Sequence, residues 1–204
     1  MSALENLRVV KVGGSLLSSA GLGERVEQWL QRQPSVPTVW VIGGGKLVDV
    51  ARDWQASHSG TPAVTDEDAH WMSVDLMSVT AKMFRVLVGW WPIASSMESL
   101  QEQFRTGAQN VVFDCRTWLR TVDELPCSWS VTSDSIAGRL AIELSCCELV
   151  LLKSRAAAGK TVKENVDAGV IDRYFVSLDL QCRVSVMNLN AAEAEPESTV
   201  VTLA

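Results

Sequence analysis

The 204-residue chain has two histidines, one tyrosine and no cysteine pair spaced C-x-x-C. So few imidazoles, and no thiolate pair, exclude the usual zinc sites, and no metal-ligand set is read from the sequence. The five cysteines, Cys115, Cys127, Cys146, Cys147 and Cys182, are odd in number, which fits reduced thiols. The adjacent Cys146 and Cys147 are expected to be buried as small hydrophobes. No charge sign dominates: a net charge of -6 suggests neither disorder nor a general nucleic-acid surface, although local basic pockets fit within it. No apolar run approaches the roughly 20 residues needed to span a bilayer, and the opening Met1-Ser2-Ala3-Leu4-Glu5-Asn6 lacks the basic and apolar regions of a signal peptide. The expectation is a soluble cytoplasmic protein without nucleic-acid or membrane partners.

What is present is apolar residue, 47% of the chain, including eight tryptophans. Trp29, Trp54, Trp71 and Trp118 fall where helix faces are expected to bury them. Apolar runs rich in valine and leucine alternate with segments of helical periodicity, the pattern of a three-layer α/β sandwich with a mainly parallel central sheet covered by helices. Strands are predicted over Arg8–Val12, Thr38–Ile42, Asn110–Phe113, Glu148–Lys153 and Arg183–Met187. Helices are predicted over Glu24–Gln31, Lys46–Ser57, Thr65–Val88 and Asp134–Ser145. In the longest of these, Met72, Leu76, Val79, Met83 and Val86 share one face and are expected to form a core stripe. One domain over residues 1–190 is expected, followed by a frayed or edge tail over 191–204.

Four elements carry chemistry. Val9-Val10-Lys11-Val12-Gly13-Gly14-Ser15 runs from a strand into a basic glycine turn, where backbone amides and a lysine can meet phosphate oxygens. Alone, it fits an ordinary glycine turn after a buried strand equally well. A second junction, Ile42-Gly43-Gly44-Gly45-Lys46, exposes amides at a helix start, the positive end of the helix dipole. Farther on, Thr132-Ser133-Asp134-Ser135 opens a helix that Ser133 or Asp134 would cap, and Lys153 stands at the carboxyl end of an apolar strand, the edge where open α/β sheets bind ligands.

In this order, these elements resemble the amino acid kinase superfamily of acetylglutamate, aspartate, uridylate and isopentenyl phosphate kinases. The resemblance covers most of the chain and implies an amino acid kinase-like fold, ATP and Mg2+ as cofactors, and a homodimer or higher homo-oligomer formed through a helix or edge strand. It implies that Lys11, Gly13, Gly14 and Ser15 meet the ATP phosphates, with Lys153, Ser154 and Lys160 also on the nucleotide side. Gly43, Gly44, Gly45 and Ser133 would face the transferred group and acceptor, and Asp134 would organise Lys11 and Lys153. A phosphoryl group would then be neutralised by the two lysines from opposite sides, with magnesium held mainly through nucleotide phosphates.

A narrower resemblance lies in Gly43-Gly44-Gly45-Lys46-Leu47-Val48-Asp49-Val50-Ala51-Arg52, Asp68-Ala69-His70-Trp71-Met72 and Val170-Ile171-Asp172-Arg173-Tyr174-Phe175. These look like the aminomethyl-furanmethyl phosphate kinases of methanofuran synthesis and their bacterial relatives in C1-carrier cofactor pathways. That resemblance implies a phosphate monoester as small-molecule acceptor, converted to a diphosphate, with Arg52, Asp68 and His70 on the acceptor side. His70 fits a helix-face packing position as well. The chain departs from the pattern in having no acidic residue soon after Lys153 until Glu164, and Asn188-Leu189-Asn190 in place of Asn-Gly. Ser154-Arg155-Ala156-Ala157-Ala158-Gly159-Lys160-Thr161 also echoes the end of a Walker A loop, but its opening glycine is replaced by Ser154. A kinase of a carboxylate acceptor and a non-catalytic nucleotide- or oxyanion-binding protein on the same fold remain alternative readings.

Overall fold

The strand order follows from where the apolar runs can be buried. A computed structural model describes residues 6–58, 64–122, 125–191 and 198–202. Its sheet has seven strands in the order β3-β4-β2-β1-β5-β6-β7, formed by β1 (Arg8–Val12), β2 (Thr38–Ile42), β3 (Ile93–Ala94), β4 (Asn110–Phe113), β5 (Glu148–Lys153), β6 (Arg183–Asn188) and β7 (Ser198–Val201). Pairing is parallel except between β6 and β7. The strands expected over Arg8–Val12, Thr38–Ile42, Asn110–Phe113 and Glu148–Lys153 form with those bounds, because the central runs are buried on both faces and need no alternation to be recognised. In the tail, residues 192–197 lie outside the described residues, and β7 adds an edge strand beyond them.

Helices α1 (Leu22–Gln31), α2 (Gly45–Ser57), α3 (Asp66–Leu87), α4 (Met97–Arg105), α5 (Cys115–Leu119), α6 (Ser133–Glu143) and α7 (Val162–Asp167) complete the described residues, with short 3-10 helices at Gly14–Ser18 and Arg173–Ser177. The period of two along each strand divides the core. Val9, Val41, Leu149 and Leu151 pack with Ile136, Ala137 and Leu140 of α6 on one face. Val10, Val12, Trp40, Val150 and Leu152 pack with Leu22, Val26 and Trp29 of α1 on the other. There Trp40 meets Trp29, Phe84 and Trp91 at ring-centroid distances of 5.7, 5.8 and 5.1 Å and donates its indole N–H to Asn110 Oδ1.

Several expectations are corrected. The stripe expected to be core on α3 faces outward: Val79, Met83 and Val86 are 44, 47 and 53% exposed, and Met72 and Leu76 are half-buried. The buried face holds Ala69, His70, Val74, Met77, Ser78, Thr80, Ala81 and Phe84, whose small and polar members permit close packing but give a weak apolar signal. Trp29 and Trp118 are buried, whereas Trp54 is 43% exposed. Cys146 is buried but its neighbour Cys147 is exposed, since adjacent residues point apart, and all five cysteines are free thiols.

At the amino end of the sheet, Arg8 and Arg183 both pair with Glu148, the first at 2.7 Å and almost wholly buried. Burial alone would raise the Glu148 pKa, but the two guanidinium groups outweigh it and lower it. Replacing Glu148 by alanine leaves the Arg8 charge buried without its carboxylate, a loss of about 3–5 kcal/mol. Urea unfolding of Glu148→Ala is expected to show a lower midpoint of that order, with Glu148→Gln less affected.

Candidate active site

Strand periodicity brings the two lysines together. Lys11 shares a face of β1 with Val9, and Lys153 shares a face of β5 with Leu149 and Leu151, which is the face that α6 covers. In register Lys11 lies opposite Leu151, so Lys153 stands one side-chain repeat farther toward the carboxyl rim. The two lysines are therefore neighbours on adjacent strands. They rise from one face of adjacent strands toward the first turn of α6.

Asp134 occupies that turn. Its Oδ1 lies 2.9 Å from Lys11 Nζ, and its Oδ1 and Oδ2 accept from Lys153 Nζ at 2.7 and 2.6 Å. Neither Ser133 nor Asp134 is the helix cap; Thr132 is, accepting from the Asp134 amide at 3.4 Å, which leaves the Asp134 carboxylate for the lysines. Burial opposes the charge on Asp134, but Lys11 and Lys153 together overcome it and bring the pKa down to about 2. For Lys153, burial wins and pushes the amine down to about 8, against the upward pull of Asp134. It is thus mainly cationic at neutral pH.

The glycines serve these groups by close backbone approach more than by positive φ. Of Gly13, Gly14, Gly43, Gly44 and Gly45, only Gly45 has positive φ, at 55°. The two turns instead touch each other: a Cβ on Gly14 would lie 2.5 Å from Gly45 Cα, and one on Gly43 would lie 2.8 Å from both Gly14 N and Ser133 Oγ. Gly13 and Gly43 support this contact from behind, donating to Leu152 O and Val12 O at 2.8 and 2.9 Å. The 3-10 helix at Gly14–Ser18 and helix α2 thus begin side by side, their amide-rich ends at one rim.

Two cavities meet there. The larger, about 730 Å³, is lined by Lys11, Asp134, Lys153, Asp167, Asp172 and Arg173 among others. The smaller, about 380 Å³, has an apolar wall of Val74, Met77, Val131 and Ile136 and a polar one that includes Lys46, Arg52, His70 and Ser133. Ser15, Asp49, Trp129 and Thr132 line both. Arg52 pairs with Asp49 at 3.2 Å and lies 4.6 Å above the Trp129 ring, whose N–H donates to Gln55 Oε1 at 2.6 Å. Burial lowers the His70 pKa despite Glu67 nearby, so its imidazole is neutral at pH 7.

Other expected site residues lie elsewhere. Asp68 is spent on the capping box of α3, accepting from the Thr65 amide and hydroxyl at 2.9 and 2.7 Å, and it lines neither cavity. A capping-box carboxylate and an exposed acceptor ligand read alike in sequence. Ser154 Oγ meets Ser15 Oγ at 2.9 Å, joining the first turn to the loop after β5. Lys160 is exposed, lines neither cavity, and engages Thr202 through its carbonyl. The segment that echoes a Walker A loop is closed on buried Asn165, which accepts from Ala158 N–H and donates to Gly159 O and Thr161 O. Sequence reasoning missed Trp129 and Gln55, and it missed Thr132 as the cap although Thr before Ser-Asp is itself a capping signal.

No family model and no curated protein matches this sequence. Solved structures do resemble it. An aspartate kinase from Synechocystis superposes with a TM-score of 0.68 at 17% identity, over 96% of this chain and 40% of that one. The chain therefore spans less than half of that kinase. A uridylate kinase from Archaeoglobus fulgidus gives 0.63 at 17% identity, over 96% of this chain and 99% of that one. A UMP kinase from Ureaplasma parvum gives 0.64 at 13%, over 97 and 99%. The chain has the fold of the amino acid kinases.

The Lys153 shift fixes a pH signature. Its folded pKa, about 8, lies below the ordinary 10.5, so between those values the unfolded chain holds more protons and the lysine's contribution to stability rises with pH. The difference in unfolding free energy between the wild type and Lys153→Met, measured in urea at pH 8, 9 and 10, is expected to shift toward the wild type as pH rises.

Proposed function

We propose that this protein is an ATP-dependent small-molecule kinase that transfers the γ-phosphoryl group to a phosphate monoester, giving a diphosphate. The observation that carries this reading is the buried Asp134 carboxylate holding two ammonium groups where two cavities meet. The larger cavity takes the nucleotide and the smaller takes the acceptor, both within the usual volume range of ligand sites. Lys11 and Lys153 neutralise donor phosphate oxygens, and Asp134 keeps both in place.

In the transfer, an oxygen of the acceptor phosphate forms a bond to the γ-phosphorus as the bond from that phosphorus to the β–γ bridging oxygen breaks, and ADP leaves with the electron pair. The attacking oxygen is already anionic, so no general base is needed and neutral His70 need take no proton. Asp134 is held by two lysines and Asp172 by five hydrogen bonds, so Mg2+ would sit on the nucleotide's own phosphates, where it supplies further charge neutralisation.

The acceptor cavity favours a phosphate over an amino acid. Lys46 and Arg52 line it, and among the described residues its one acidic lining residue, Asp49, is paired with Arg52. UMP, named in two structural neighbours, is itself a phosphate monoester. The sequence resemblance narrows the acceptor to a furanmethyl phosphate of C1-carrier cofactor synthesis. With labelled ATP and such an acceptor, the expected product is a diphosphate stable to hydroxylamine; a hydroxamate would identify a carboxylate acceptor. Tight nucleotide binding without turnover across a broad acceptor panel would identify a binding protein. Lys11→Ala is expected to lower kcat about a hundredfold, the scale of losing one preorganised oxyanion donor, roughly 3 kcal/mol.

We also propose that the outward stripe of α3 is where two copies of the chain meet. Its 22 residues give about 33 Å of helix, and Val79, Met83 and Val86 recur on one face, so a two-fold axis across the stripe pairs each copy's apolar face with the other's. Light scattering of Val79→Glu/Met83→Glu is expected to give a monomer where the wild type gives a dimer.

A further inference from the structure

Asp172, between Ile171 and the 3-10 helix Arg173–Ser177, accepts more hydrogen bonds than a helix cap requires. Its Oδ2 accepts from the Thr132 amide at 3.0 Å, the Thr132 hydroxyl at 2.7 Å and the Ser135 amide at 3.0 Å. Its Oδ1 accepts from the Ser135 hydroxyl at 2.5 Å and the Phe175 amide at 3.1 Å. Four of these five donors belong to residues 132 and 135, which bracket Asp134. Thr132 also relays the grip: its hydroxyl donates to Asp172, which turns a lone pair toward the Asp134 amide. One cap satisfies a helix start, whereas a carboxylate with both oxygens saturated by charge-assisted bonds fixes its direction as well.

We propose that Asp172 is a positioning residue for phosphoryl transfer, clamping Thr132 and Ser135 so that the Asp134 carboxylate stays between Lys11 and Lys153. This rests on the kinase reading for its consequence in catalysis, but not for the clamp itself. Asp172 lines the larger cavity beside Lys153, with Lys11, Asp49, Asp134, Asp167 and Arg173 as the other charged side chains there. Its negative charge raises the Lys153 pKa against the dominant lowering by burial, along with Asp134 and against Lys11. A residue that only braced the fold would stabilise α6 without this hold on the lysine.

The test uses Asp172→Asn, which keeps the size of the side chain but presents an NH2 group to donors that need an acceptor. Lys153 is titrated by NMR in protein carrying 13C-labelled lysine, its signal assigned by loss in Lys153→Arg, and turnover is measured in parallel with ATP and a furanmethyl phosphate. The expected result is a Lys153 midpoint lowered by about half a pH unit or more, with kcat reduced roughly tenfold and KM for ATP within about twofold. A folded Asp172→Asn whose Lys153 midpoint is unmoved, or whose kcat is unchanged while only its melting temperature falls, overturns the proposal. If the wild type shows no turnover, the kinase reading fails, and the titration still decides whether Asp172 holds the Asp134–Lys153 pair. Should Asp172→Asn not fold, Thr132→Val removes the hydroxyl relay and is read by the same titration: a lowered midpoint supports the clamp and an unmoved one overturns it.

Discussion

A buried carboxylate shared by two ammonium groups is the constraint on which the site depends. Neither lysine would be tolerated at its depth alone, because burial disfavours the charged amine, and neither would the aspartate. Together they carry a net positive charge to the lining of the larger cavity. That surplus is the useful quantity: a neutral pair would attract no phosphate, and two unpaired lysines would repel one another and shed a proton. The sheet supplies the lysines from adjacent strands, and α6 supplies the counter-charge, so the site exists only where the two layers meet.

The contact between the two glycine turns has the same character. Side chains at Gly14 or Gly43 would force the turns apart, separating their two amide-rich ends. These glycines are explained by backbone meeting backbone rather than by unusual dihedral angles, with Gly45 the exception.

The central strands were legible in the sequence because a run buried on both faces leaves little ambiguity, and the lysine, glycine and aspartate positions were legible because they stand at strand and helix ends. What could not be read came from two causes. Periodicity finds an apolar stripe but not the direction it faces, so the large side chains of α3 looked like core while Ala69, Ser78, Thr80 and Ala81 did the packing. Side-chain bonds across long sequence separations leave no local trace, which is why Asp172, acting on residues 132 and 135, and Trp129, acting on Gln55, were not singled out by spacing. Asp68 shows the converse: a local capping signal took on the look of a distant role.

Helix α2 forms one wall of the smaller cavity, yet none of its residues is buried in the core. It is anchored by the glycines at its start and by Gln55 near its end, which bonds Asp66 and receives the Trp129 N–H. Its exposed surface can therefore change with little effect on the strands that hold Lys11 and Lys153. Such an arrangement separates two kinds of inheritance: the charged cluster is tied to the core and resists drift, whereas the wall of the smaller cavity is written on a helix that evolution can revise cheaply.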